Sequence, residues 1–112
     1  MAIVNDLIRE KAQEAINTVA RRVRVRAGYL FGSHVDGAAN ELSDIDVAAF
    51  IENAECLDLQ ERVRIGVEIR EQSDDEIEIH FFPAESLYHP PVASFAAYVL
   101  DHGVRFWEKP AE

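Results

Sequence analysis

An α/β domain with a small mixed sheet is the fold class this sequence predicts, and three observations predict it. Residues 4–20 carry apolar side chains at helical spacing, and four short runs rich in β-branched and aromatic residues each end in turn residues. Further segments of helical period lie between those runs. The 112 residues suit one domain, with 48% apolar residues to build a core and no repeat, linker or low-complexity tract to divide it. Residues 1–112 therefore read as one unit.

In the first segment Val4, Leu7, Ile8, Ala12, Ala15, Ile16, Val19 and Ala20 fall on one helical stripe, and Asn5 or Asp6 can cap its start. Val25 to Phe31 is a strand that runs into a turn at Gly32-Ser33. Residues 34–43 are small and polar and predict a loop or one short helix. Ile45 to Ile51 is the second strand, with Asp44 and Asp46 at its entrance.

Residues 57–71 are ambiguous by period. Val63, Ile65, Val67 and Ile69 alternate as in a strand, yet Leu59, Val63 and Val67 share a helical face in a long segment rich in Glu, Gln and Arg. Helix is the favoured reading. Ile77 to Phe82 is a clearer strand ended by Pro83. Val92, Phe95, Ala96, Val99 and Leu100 predict a buried helix face, with Pro91 in its first turn and Gly103 at its end. Val104 to Trp107 is the last strand.

Charge narrows the function. The formal net charge is −10, but residues 1–28 hold six basic and three acidic residues, and the rest hold five basic and 18 acidic ones. An acidic body repels a phosphate backbone, so general nucleic-acid binding is not expected. The arginines at 21, 22, 24 and 26 read as a solvated edge. No apolar run is long enough to span a bilayer, and the N-terminus has no export signal. The lone Cys56 forms no internal disulfide and fits a reducing compartment, so the expected location is the cytoplasm. It reads as a core or loop thiol.

The chemistry concentrates in Gly32-Ser33, ten residues, then Asp44-Ile45-Asp46. Two positions apart on a strand, both carboxylates project from one face. Such a pair is costly unless a cation lies between its members, and hard oxygen ligands suit Mg²⁺. A glycine-serine turn after a strand can aim backbone N–H groups and a hydroxyl at an anion. A phosphate cradle facing a metal-binding pair is what phosphoryl-type transfer requires, because positioning and charge neutralisation supply most of its catalysis. On the strand 77–82, Glu78 offers a third carboxylate; Asp74, Asp75 and Glu76 lie just before it. His34 follows Ser33, and a turn histidine has many uses besides phosphate contact. His80, His89 and His102 show no metal-ligand spacing with a cysteine or with one another, and the aromatic residues read as core.

The ordered set Gly32-Ser33, Ser43-Asp44-Ile45-Asp46-Val47 and Ile77-Glu78-Ile79 resembles the minimal nucleotidyltransferases of the DNA polymerase β-like superfamily. The likeness takes in the leading helix, the Phe82-Pro83-Ala84-Glu85-Ser86-Leu87 stretch and the closing Leu100-Asp101-His102-Gly103-Val104-Arg105-Phe106. It implies a palm-like α+β fold. It implies that Gly32, Ser33 and Ser43 hold a nucleoside triphosphate, ATP being the expected one, and that Asp44, Asp46 and Glu78 are catalytic and bind Mg²⁺. The activity implied is transfer of a nucleoside monophosphate to a hydroxyl. Two positions depart from the pattern: Asp36 stands where an arginine is frequent, and Glu78 where aspartate is common. Larger relatives bind the acceptor with extra domains, so recognition here is expected from a partner chain or a homo-oligomer. The resemblance supplies a partner class, the HEPN ribonucleases of toxin–antitoxin modules, which such enzymes silence by attaching AMP to a tyrosine. The alternative is a binding module that neutralises its partner by complex formation alone.

Overall fold

The computed structural model describes residues 6–32, 35, 44–72 and 77–108. Helix α1 (Asp6–Ala20) leads into strand β1 (Val25–Phe31), and strand β2 (Ile45–Ile51) follows. After a 3₁₀ turn at Ala54–Cys56 come helix α2 (Leu59–Gln72) and strand β3 (Ile77–Pro83). A second 3₁₀ turn, Ala84–Leu87, precedes helix α3 (Phe95–His102) and strand β4 (Val104–Glu108).

The four strands form one sheet in the order β3-β2-β1-β4. β1 is antiparallel to both β2 and β4, whereas β2 and β3 are parallel. That mixture follows from the connections, since a parallel pair needs a long crossover and α2 supplies it. The expected mixed sheet with flanking helices is what the chain forms.

Along β2 the pleat sends Ile45, Val47, Ala49 and Ile51 to one face and Asp46, Ala48 and Phe50 to the other. The first face packs under α1 and α2, where Ala12, Ala15, Ile16, Val19, Ile65 and Ile69 complete the main core. A smaller cluster on the second face joins Ala27, Phe31, Ala48 and Phe50 to Ala96 and Val99 of α3. Thr18 Oγ1 donates to Gln72 Oε1 at 2.8 Å and ties α1 to the end of α2.

Residues 59–72 are helical, as favoured, but the buried stripe is not the one that argued for it. Ile65 and Ile69 face the core, while Leu59 is 77% exposed and Val63 and Val67 are also exposed. Asp58 Oδ1 caps the helix by accepting from Glu61 N at 2.8 Å, a start signal that overrides the strand-like alternation.

The last helix begins later than the periodicity predicts. Ser94 is its N-cap and accepts from Ala97 N at 3.1 Å, so Pro91 and Val92 precede the helix and Val92 is 96% exposed. Phe95 is half exposed; Ala96 and Val99 make the buried face. Gly103 closes the helix through its N–H to Val99 O at 2.7 Å, as expected. Cys56 lies on the surface. The arginine edge is not simply solvated. Arg22 pairs with Glu68 at 3.0 Å and Glu61 at 3.6 Å, and Arg26 with Glu52 at 3.6 Å.

Candidate metal and nucleotide site

The site forms where β1 ends and β2 and β3 begin. In the parallel β2–β3 ladder Asp46 stands opposite Glu78, and in the antiparallel β1–β2 ladder it stands opposite Phe31. Strand period two then adds His80, two residues beyond Glu78 and on the same face. One ligand atom from each of Asp46, Glu78 and His80 lies within 4.8 Å of the others. The side chains of Asp46 and His80 are only 23% and 27% exposed, and His80 Nε2 sits 3.6 Å from Asp46 Oδ1.

Gly32 follows β1 directly, with φ +83°, where a side chain is strained. A β-carbon at Gly32 would collide with the Asp46 carboxylate, so the glycine lets the backbone pass against that acid. The His80 ring makes T-shaped contacts with Phe31 (5.1 Å) and Phe95 (5.4 Å). Beyond it Phe82 stacks on Phe50 at 5.2 Å. Glu78, His80, Phe82 and Phe95 open onto a cleft of about 540 Å³ along the outer edge of β3, with Arg62 and Arg70 of α2 across from them.

Electrostatics matches this geometry. Burial is the main force pushing the Asp46 carboxyl above its ordinary value; His80 pulls it back, and the Glu78 charge adds to the rise. His80 Nε2 is shielded from solvent and makes no hydrogen bond within the described residues. A buried polar atom left unpaired beside two carboxylates is costly as it stands. A divalent cation would answer each of these strains, so the residues present fit a metal.

The structure brings Asp46 and Glu78 together, as the neighbouring strands require. Asp44 differs. Pairing with β3 starts at Ile45 opposite Ile77, so Asp44 stands exposed one residue outside the ladder. Asp44 is not among the three residues whose ligand atoms lie within 4.8 Å of one another. Ser33 and Ser43, and likewise His34, Asp36 and Asp74 to Glu76, lie outside the described residues. His80 is the residue that sequence reasoning missed. Its signal was the spacing Glu78-x-His80 on a strand, which shares a face as surely as a spacing among histidines does.

A family model described as polymerase beta nucleotidyltransferase matches residues 13–108. The chain belongs to that family. No curated protein matches it. Among solved structures, a chain of a toxin–antitoxin with AMP-PNP is 19% identical, with a TM-score of 0.67 over 88% of this chain and 73% of that one. A chain of the toxin–antitoxin MntA-HepT is 17% identical, with a TM-score of 0.60 over 88% and 71%. A mutant toxin–antitoxin containing MntA gives 17% and 0.65. These likenesses establish a shared fold, and the family match bears out a nucleotidyltransferase of the polymerase β-like superfamily. Among the described residues no helix is long and apolar enough to cross a membrane.

Proposed function

We propose that this chain, as a single domain, transfers a nucleoside monophosphate from a triphosphate to a hydroxyl. The observation that carries the reading is the in-register pair Asp46 and Glu78, with Gly32 backbone packed against the first. Asp46 and Glu78 would hold a divalent cation, and Asp44, exposed at the strand entrance, would add a carboxylate from the solvent side. A divalent ion there supplies charge neutralisation for the triphosphate and the departing pyrophosphate. The chain's own part is placement: Gly32, Ser33 and Ser43 bind the phosphates, and the β2–β3 pairing fixes the acids relative to them. The hydroxyl oxygen forms the new bond to the α-phosphorus while the bond to pyrophosphate breaks.

The family match supports the reaction class, and AMP-PNP in a similar structure supports ATP as donor. Mg²⁺ would enter on the nucleotide. Two similar structures are MntA toxin–antitoxin assemblies, which supports a partner protein as acceptor and an antitoxin role. A HEPN-type partner and a cytoplasmic setting complete the proposal on the sequence and its family resemblance alone. Homo-oligomerisation would be the other source of acceptor recognition.

The test is label transfer from α-³²P-ATP to a co-purified partner. Asp46→Asn should lower the rate by roughly three orders of magnitude or more, since it removes a charged ligand from a site that works by charge. Transfer at the wild-type rate would end the assignment. Loss of transfer with undiminished neutralisation of the partner would favour action by complex formation alone.

A further inference from the structure

Magnesium is served by oxygen ligands, and carboxylates are enough for it. The cluster found here contains a nitrogen as well. His80 Nε2 has no solvent, no hydrogen-bond partner among the described residues, and a carboxylate oxygen at 3.6 Å. Phe31 and Phe95 pack against the ring in T-shaped contacts, and the nitrogen lies beside the Asp46 carboxylate. A metal ion about 2.1 Å from each donor needs the three ligand atoms roughly 3–4 Å apart. They already lie within 4.8 Å of one another, so a small closure of side chains completes the shell.

We propose that His80 is a metal ligand, and that with Asp46 and Glu78 it forms a mixed nitrogen–oxygen site selecting a first-row transition ion over Mg²⁺. The inference rests on the metal-site reading above and specifies which ion the protein itself holds. Imidazole raises affinity for ions such as Co²⁺ and Zn²⁺, whereas Mg²⁺ gains little from nitrogen and gives up its water reluctantly. The ion accompanying the nucleotide and the ion resident on the protein would then differ in kind.

The experiment is calorimetric titration of tag-free protein with Co²⁺ and with Mg²⁺, without nucleotide, and with the visible Co²⁺ bands recorded. Wild type should bind Co²⁺ at least about 10-fold more tightly than Mg²⁺. His80→Phe keeps a ring among Phe31 and Phe95 but removes the donor. It should weaken Co²⁺ by roughly 10- to 100-fold, alter the bands and leave Mg²⁺ within about threefold. Asp46→Asn should weaken both ions.

Wild-type Co²⁺ affinity in His80→Phe, with Asp46→Asn impaired, would overturn the proposal and leave the carboxylate site standing. Unchanged binding of both ions in Asp46→Asn would overturn the carboxylate site itself. Should His80→Phe fail to fold, the ring ¹⁵N resonances of wild type decide the question on Zn²⁺ addition. A large Nε2 shift at His80, absent from His89 and His102, supports the proposal, and an unmoved Nε2 overturns it.

Discussion

The two faces of the sheet are built from the same four strands and meet opposite demands. Under α1 and α2 lies an aliphatic layer whose central members, Ile16, Val19, Ile45, Val47, Ile65 and Ile69, are buried almost completely. The other face is roofed by the eight-residue α3 and the 3₁₀ turn at Ala84–Leu87, and at its open end it holds two acids and an imidazole among half-buried aromatic rings. On β2 and β3 the residues alternate between these environments one by one. The closed face supplies the rigidity that lets the open face keep like charges together. Stability belongs to one side and chemistry to one end of the other.

The largest expected effect breaks the closed face. Ile16→Ala leaves a void between α1 and the sheet, at a residue with no exposure, and should cost about 2–5 kcal/mol in urea unfolding. Val67→Ala, on the same side of the molecule but on the outward stripe of α2, should stay within about 0.5 kcal/mol. Similar costs for the two would mean that α2 buries a different face from the one described.

The boundary between the faces is tested next. Gly32→Ala places a β-carbon against the Asp46 carboxylate at a residue with φ +83°. The strain should cost about 1–3 kcal/mol. Because the clash falls on Asp46, Co²⁺ affinity should drop as well. A stability loss with wild-type ion binding would show that Gly32 serves the turn and not the site.

The closed face was legible in the sequence because burial on one side enforces a period, and the helix at 6–20 and the strands at 25–31 and 45–51 follow it. It was misleading where apolar residues remain outside. Leu59, Val63 and Val67 carry a helical period without burial, and Val92 extends a periodicity that Ser94 interrupts by capping. The open face was legible through its acids, since Asp46 and Glu78 signal their strands' adjacency by needing a common cation. His80 was weighed only against cysteines and other histidines. Its partners are Glu78, two residues back on its own strand, and Asp46 across the ladder, and only the second needs cross-strand registry that one segment's spacing does not carry.

The smallest effect sharpens the division of labour, because one substitution should harm chemistry and help stability. Burial, the largest influence, raises the Asp46 carboxyl above its ordinary value, with Glu78 adding to the rise and His80 opposing it. The folded protein therefore holds that proton to higher pH than the unfolded chain, whose carboxyl titrates near about 3.9. As pH rises from there through the raised folded value, the folded state binds more protons than the unfolded one, and stability falls. Above that window the cost remains in full; below about pH 3.9 it vanishes. With a chelator present, Asp46→Asn should be slightly more stable than wild type at pH 7, by a small margin because solvent reaches part of the carboxylate. The advantage should shrink as the pH is lowered through that window and be gone below it. Saturating Co²⁺ should reverse the order, since only wild type gains from an ion that binds the folded state. Thermal melts of both proteins at pH 7 and pH 3.5, with chelator and with ion, measure all of this. A variant less stable than wild type at pH 7 in chelator would mean that Asp46 is held by favourable partners, and that the acids at this end of the sheet impose no cost for a metal to relieve.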